Sequence, residues 1–164
     1  MNRVYSTAEF DGLPVVDAER ELLTVCRAPR WAREVAAGRP YGSAEALQAA
    51  AAAALTDADL DEAMAGHPRI GDRGADGQSR REQGAVATAE ADVLTALAEG
   101  NREYEERFGH VYLVCASGRS AEDLLATLRK RLGNDPETER AVALGELAAI
   151  NRIRIARLVG EGQA

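Results

Sequence analysis

Residues 135–159 read DPETERAVALGELAAINRIRIARLV. Asp135 followed by Pro136 marks a helix start: aspartate is a favoured N-cap, and proline is tolerated at the first helical position, where its missing N–H loses no partner. From there Leu144, Leu147, Ile150 and Leu158 recur at helical spacing and form one stripe of a long amphipathic helix running to about Val159. Arg154 falls on the same stripe, four residues from Ile150 and four from Leu158. A guanidinium there has to snorkel, pair with a carboxylate, or face a cavity that receives an anion. Arg140 and Arg152 fall off the stripe on the solvated side, and Arg157 sits at its edge.

The composition agrees with a helical chain. Only 4% of the 164 residues are aromatic, while alanine and leucine abound, which favours helix over sheet. The length suits one domain with a sizeable core. A net charge of −7 lacks the basic footprint of a nucleic-acid module. Cys26 and Cys115 are too few for a disulfide framework or a zinc cluster and read as small core residues in a reducing compartment. The longest apolar run, 49–55, is mostly alanine and far too short to span a bilayer. No apolar leader or peroxisomal ending is visible at the termini, so the expected location is cytoplasmic.

Working backwards and forwards along the chain, the pattern predicts helices over 17–26, with Leu22, Leu23 and Cys26 inward, and over 29–37, with Trp31 and Val35 on one face. Gly38, Pro40 and Gly42 end the second. Ser43 caps a helix over 44–55, and Thr56 caps one over 57–65 that Gly66 terminates. Residues 71–77 hold three glycines and three charges and read as a loop. Ser79 opens a helix to residue 98, with Val86, Val93, Leu94 and Leu97 inward. Gly100 is expected to stop it, and a short helix over 101–108 ends at Gly109. Residues 111–114 are β-branched and aromatic, but with no partner strand they read as extended or helical. Ser120-x-x-Asp123 opens a helix carrying Leu124, Leu125, Leu128 and Leu132, closed by Gly133. The expected architecture is a single-domain, all-α, multi-helix bundle.

One loop stands apart from these helices. Gly66 and Pro68 bracket His67, one of only two histidines. Glycine suits a helix C-terminus, and proline pushes the residue before it into extended geometry. His67 is therefore expected just past a helix end, on a loop held by a rigid scaffold, where chemistry tends to sit. Each candidate also has a plainer reading. Ser79-x-x-Glu82 is a capping box, and capping alone explains both residues. A lone histidine after a helix is commonly structural, and an arginine on an apolar stripe is commonly a buried ion pair. His110 reads as non-catalytic.

His67-Pro68-Arg69-Ile70-Gly71, Ser79-x-x-Glu82-Gln83, Phe108-Gly109 before an apolar run, and Ile150-x-x-x-Arg154-Ile155 occur here in that order. In this the chain resembles the OHCU decarboxylases, which act on 2-oxo-4-hydroxy-4-carboxy-5-ureidoimidazoline in urate breakdown. Trp31-Ala32 and Gly38-Arg39-Pro40-Tyr41 extend the resemblance over nearly the whole chain. Gly77-Gln78 and His110 stand where the family often has aromatic residues. The resemblance implies a helical, homodimeric decarboxylase that gives S-allantoin without a cofactor or metal. It assigns catalysis to His67 with Glu82 as its partner, and substrate binding to Pro68, Ser79, Gln83 and Arg154. The implied partner is a small ureidoimidazoline, with neither nucleic acid nor membrane.

Two other readings compete. A non-enzymatic helical interaction module would dock a partner on its leucine stripes and tolerate loss of His67 and Glu82. A metal-dependent hydrolase would need His67 and His110 as ligands, but they lie 43 residues apart with no second histidine or cysteine at ligand spacing.

Overall fold

The computed structural model describes residues 3–67, 69–70 and 91–160. Among these there are eight helices and no strand. They are α1 (Thr7–Asp11), α2 (Val15–Val25), α3 (Pro29–Ala37), α4 (Ala44–Ala54), α5 (Asp57–Ala65), α6 (Ala91–Phe108), α7 (Ala121–Arg131) and α8 (Pro136–Leu158). The all-α expectation holds. The chain divides into two compact units, residues 64–147 forming one and residues 1–63 with 148–164 the other.

In the unit built from both chain ends, α2 packs on α3 and α3 on α4. Trp31 is fully buried, and its indole N–H donates to the Ala51 carbonyl at 2.8 Å, fastening α3 to α4. Asp59 is a buried carboxylate of this unit. It accepts from Arg30 through both oxygens, at 2.9 and 2.6 Å, and from the Thr56 N–H and hydroxyl at 2.9 Å. Burial pushes the Asp59 carboxyl up, but Arg30 and Thr56 outweigh it and hold the group below the usual carboxylate range. Thr56 directly precedes α5, and its hydroxyl donates to the aspartate three residues on.

Helix α1 lies outside the sequence expectation, which starts the first helix at Asp17. Its signal is a capping box: Glu9 N–H donates to Ser6 Oγ at 3.1 Å, and Ser6 N–H to Glu9 Oε1 at 3.0 Å. Five residues with two buried side chains are too short to show a period. The segment Gly38-Arg39-Pro40-Tyr41 clasps this helix. Arg39 Nη1 donates to the Phe10 and Leu13 carbonyls at 2.9 and 2.8 Å, while the Asp11 carboxylate accepts from the Tyr41 and Gly42 N–H groups, both at 3.0 Å.

The unit of residues 64–147 is built on α6. Sequence reading breaks this helix at Gly100; the structure runs straight through it. Gly100 is buried where α6 meets α7, and a Cβ there would sit 2.6 Å from Leu128 Cδ2. The glycine serves close packing rather than termination. The true end is Gly109, at φ 78°, whose N–H donates to the Glu105 carbonyl at 2.8 Å. Leu94, expected inside, is exposed, while Val93 and Leu97 pack on the core with Leu124, Leu125 and Leu128.

Residues 111–116 take neither helix nor strand, and Tyr112, Leu113, Val114 and Ala116 are buried. Their carbonyls need partners, and a charged network supplies one. Arg131, itself buried, donates from Nη1 to the Leu113 carbonyl at 2.8 Å and pairs with Glu139. Glu139 is fully buried and also accepts from the Tyr104 hydroxyl at 2.6 Å and from Asn134 Nδ2 at 3.0 Å. Burial beside this carboxylate pushes the Tyr104 hydroxyl far up, so it stays a donor. Asp135 caps α8, accepting from the Thr138 N–H at 2.8 Å, as its sequence implies. On α8, Leu147 and Ile150 are buried, Leu144 is half-buried, and Arg152 is exposed.

Two stability changes follow. Gly100→Ala should gain about 1 kcal/mol of helix propensity but lose about 1–3 kcal/mol to overpacking against the enclosed Leu128. A net loss in urea unfolding is expected, and a more stable variant would show that the α6–α7 contact is loose. Glu139→Ala strands the buried Arg131 and should cost about 3–5 kcal/mol, whereas Tyr104→Phe removes one donor of three and should cost about 1 kcal/mol. Equal costs in urea melts would contradict this ranking.

Candidate active site

Helix α5 delivers the histidine loop. His67 follows its last turn, and its backbone N–H donates to the Met64 carbonyl at 3.0 Å. The residue is half-buried, so its imidazole is neither locked in the core nor fully free in water. The expectation that His67 stands just past a helix end is met.

The next described residues are held by α6. Ile70 is buried in the core beside Leu97 and Tyr104, and its carbonyl accepts from Asn101 Nδ2 at 3.3 Å. Arg69 forms a two-pronged ion pair with Glu105, Nε to Oε2 at 2.7 Å and Nη2 to Oε1 at 2.9 Å. Asn101 and Glu105 are one helical turn apart on α6. A cleft of about 660 Å³ opens at this place, lined by Arg69, Ile70, Asn101, Arg102, Glu105 and Glu106 among others. Asn101 is 5% exposed, and its Oδ1 has no hydrogen-bond partner among the described residues.

Sequence reading did not single out Asn101 or Glu105. A signal was present. Asn101 falls four residues after Leu97 and three before Tyr104, a polar side chain on an apolar stripe, as Arg154 is on its own. Breaking the helix at Gly100 hid that register.

His110 joins an aromatic group. Its ring centroid lies 5.5 Å from that of Tyr104 and 6.2 Å from that of Phe108, and its Nδ1 lies 3.1 Å from the Val111 carbonyl oxygen. Cys115, expected in the core, is half-buried. Tyr112 is buried, its hydroxyl donates to the Leu124 carbonyl at 3.0 Å, and burial pushes its pKa up to about 12. Among the described residues no three His, Cys, Asp or Glu side chains gather where they could hold a metal ion. No described helix is long and apolar enough to cross a membrane.

Arg154 belongs to the other compact unit. It is buried, as its place on the stripe demands, and its Nη1 donates to the Val25 carbonyl at 3.1 Å. Val25 is the last residue of α2, so the guanidinium serves a carbonyl that has no partner within its own helix. Beside it Cys26 is buried, and burial pushes the thiol up to about 11, leaving it protonated and unreactive near neutral pH. Pro68, Ser79, Glu82 and Gln83 lie outside the described residues.

Comparison with known proteins gives this geometry its context. A bifunctional uric acid degradation protein of Arabidopsis thaliana is 30% identical over 87% of this chain, and the match spans 48% of that longer protein. The chain thus spans about half the length of that relative. The 2-oxo-4-hydroxy-4-carboxy-5-ureidoimidazoline decarboxylase of Amia calva is 27% identical, with 81% of this chain and 82% of the relative covered. A crystal structure of OHCU decarboxylase in the presence of (S)-allantoin superposes with a TM-score of 0.77 at 28% identity, covering 86% of this chain and 98% of that one. The sequence pattern of OHCU decarboxylase matches residues 11–156. On that span, nearly the whole of its length, the chain belongs to the OHCU decarboxylase family.

Proposed function

We propose that this protein decarboxylates 2-oxo-4-hydroxy-4-carboxy-5-ureidoimidazoline to S-allantoin in urate degradation. The observation that carries the reading is the seat of His67 in a chain of this family: half-buried, directly after a helix end, with Arg69 and Ile70 gripped by a second helix. The working unit of the reading is one domain over residues 1–164, acting as a cytoplasmic homodimer.

The chemistry suits side chains alone. When carbon dioxide leaves, the C–C bond breaks and its electron pair stays on the ring carbon. The substrate offers a C=N bond beside the departing carboxylate, and the pair is drawn into it. The protein has then to orient the carboxylate, exclude the wrong face and deliver a proton to the right one. His67 is the proton-handling group, since imidazole changes charge near neutral pH. Glu82 orients it. Pro68, Ser79 and Gln83 hold the ring and ureido amides, and Arg154 binds an anionic or urea oxygen. No cofactor is needed for electrons that the substrate itself accepts.

The test generates the substrate from urate with upstream enzymes and follows the optical activity of the allantoin formed. Wild-type protein should give S-allantoin faster than the spontaneous reaction, which gives both hands. His67→Asn keeps a hydrogen bond but cannot shuttle a proton, so it should fold normally and lose the acceleration. Near-wild-type turnover in that variant would remove His67 from the mechanism.

Glu82→Gln separates chemistry from capping, because glutamine also serves in a capping box. Orientation of His67 by the carboxylate predicts a loss of activity by orders of magnitude with the melting temperature nearly unchanged. Activity losses that merely track stability, in Glu82→Gln and Ser79→Ala alike, would leave capping as the whole role.

A further inference from the structure

We propose that Glu105 and Asn101, both on α6, are positioning residues that hold the His67 loop at a fixed angle for catalysis. The inference deepens the decarboxylase reading and rests on its assignment of His67. The loop leaves α5 at Ala65 and has only a few residues in which to present the imidazole. Its near end is tied by the His67 N–H to the Met64 carbonyl. Its far end is tied twice to α6. The Asn101 amide takes the Ile70 carbonyl at 3.3 Å, and the Glu105 carboxylate takes the Arg69 guanidinium through two bonds of 2.7 and 2.9 Å.

These two ties differ in kind. Asn101 is 5% exposed and works from inside the core, beside the buried Ile70 side chain. Arg69 and Glu105 have side chains 59% and 25% exposed, so water screens their attraction and the pair adds little to global stability. What a two-pronged guanidinium–carboxylate contact does supply is direction, since its planar fork fits one orientation only. Arg69 stands two residues along the chain from the proposed catalytic histidine, so losing that direction is expected to reach the imidazole. A misplacement of about 1 Å at a reacting group costs up to about a hundredfold in rate, so a weak surface pair can matter to turnover while mattering little to folding.

The experiment is a double-mutant cycle in the full chain, with Arg69→Ala, Glu105→Ala, the double variant, and His67→Asn as reference. Steady-state rates are measured on enzymatically generated ureidoimidazoline. Each single variant should lower kcat about tenfold and leave KM within about twofold, and the double should be no slower than the slower single, because the two act as one contact. Melting temperatures should stay within about 2 °C of wild type, as for an exposed pair. The chain has only two histidines, so His67→Asn assigns both imidazole proton resonances. Glu105→Ala should shift or broaden that of His67 and leave that of His110 in place, a signature that loss of a purely structural contact would not produce.

Wild-type kcat in Glu105→Ala, with His67→Asn inactive, would overturn the positioning role and leave the decarboxylase reading standing. So would a change confined to KM, or additive losses that follow the melting temperature. Turnover retained in His67→Asn would overturn both.

Discussion

A carboxylate with no access to water governs the unit of residues 64–147. Glu139 is fully buried, and a bare charge there would cost several kcal/mol even after relaxation. It is tolerable only because Tyr104, Arg131 and Asn134 all donate to it. Those partners come from α6, from α7 and from the turn before α8, so satisfying one charge fixes three elements. Arg131 carries the constraint further by taking the Leu113 carbonyl and lying 4.9 Å over the Tyr112 ring. The stretch 111–116, outside any helix, is thereby given a place.

The same helix packs into the core on one face and, in the proposed mechanism, holds the His67 loop on the next. Along α6, Leu97, Gly100 and Tyr104 turn into the core, while Asn101 and Glu105 meet the loop that carries His67. Gly100 matters to both, because the close approach of Leu128 sets how deeply α6 lies and hence where its next turn presents an amide and a carboxylate. The geometry of the loop is thus inherited from packing that touches no reacting atom.

Family-like segments need not be chemical. Gly38-Arg39-Pro40-Tyr41 forms part of the resemblance, yet in the structure it is a clasp. Arg39 gathers carbonyls at the end of α1, and Asp11 receives the N–H groups that follow. Trp31 likewise spends its indole on a helix carbonyl. Arg154 also has structural duty at the end of α2, and in the proposed mechanism it adds a ligand contact to it.

The sequence by itself determined the elements whose signals are local. Caps at Ser43, Ser120 and Asp135 are where the hydroxyl or carboxylate nearest the first free N–H groups had to be. The place of Arg154 on the core stripe of α8 was legible from the 3.6-residue period, while its burial and its partner were not. That His67 stands just past a helix end was legible from Gly66, a residue suited to ending helices. What only the tertiary structure decided concerns contacts far apart in sequence. Gly100 looks like a stop until Leu128 arrives to fill the space its missing Cβ leaves. Arg131 and Glu139 carry no local signal of their pairing, and only the packed structure brings them together. Glu105 and Asn101 acquire a role only from a loop more than thirty residues earlier in the chain. Local steric and hydrogen-bonding rules act within about a turn of the chain. A buried charge or a tight helix contact is defined by whichever segment folding brings against it.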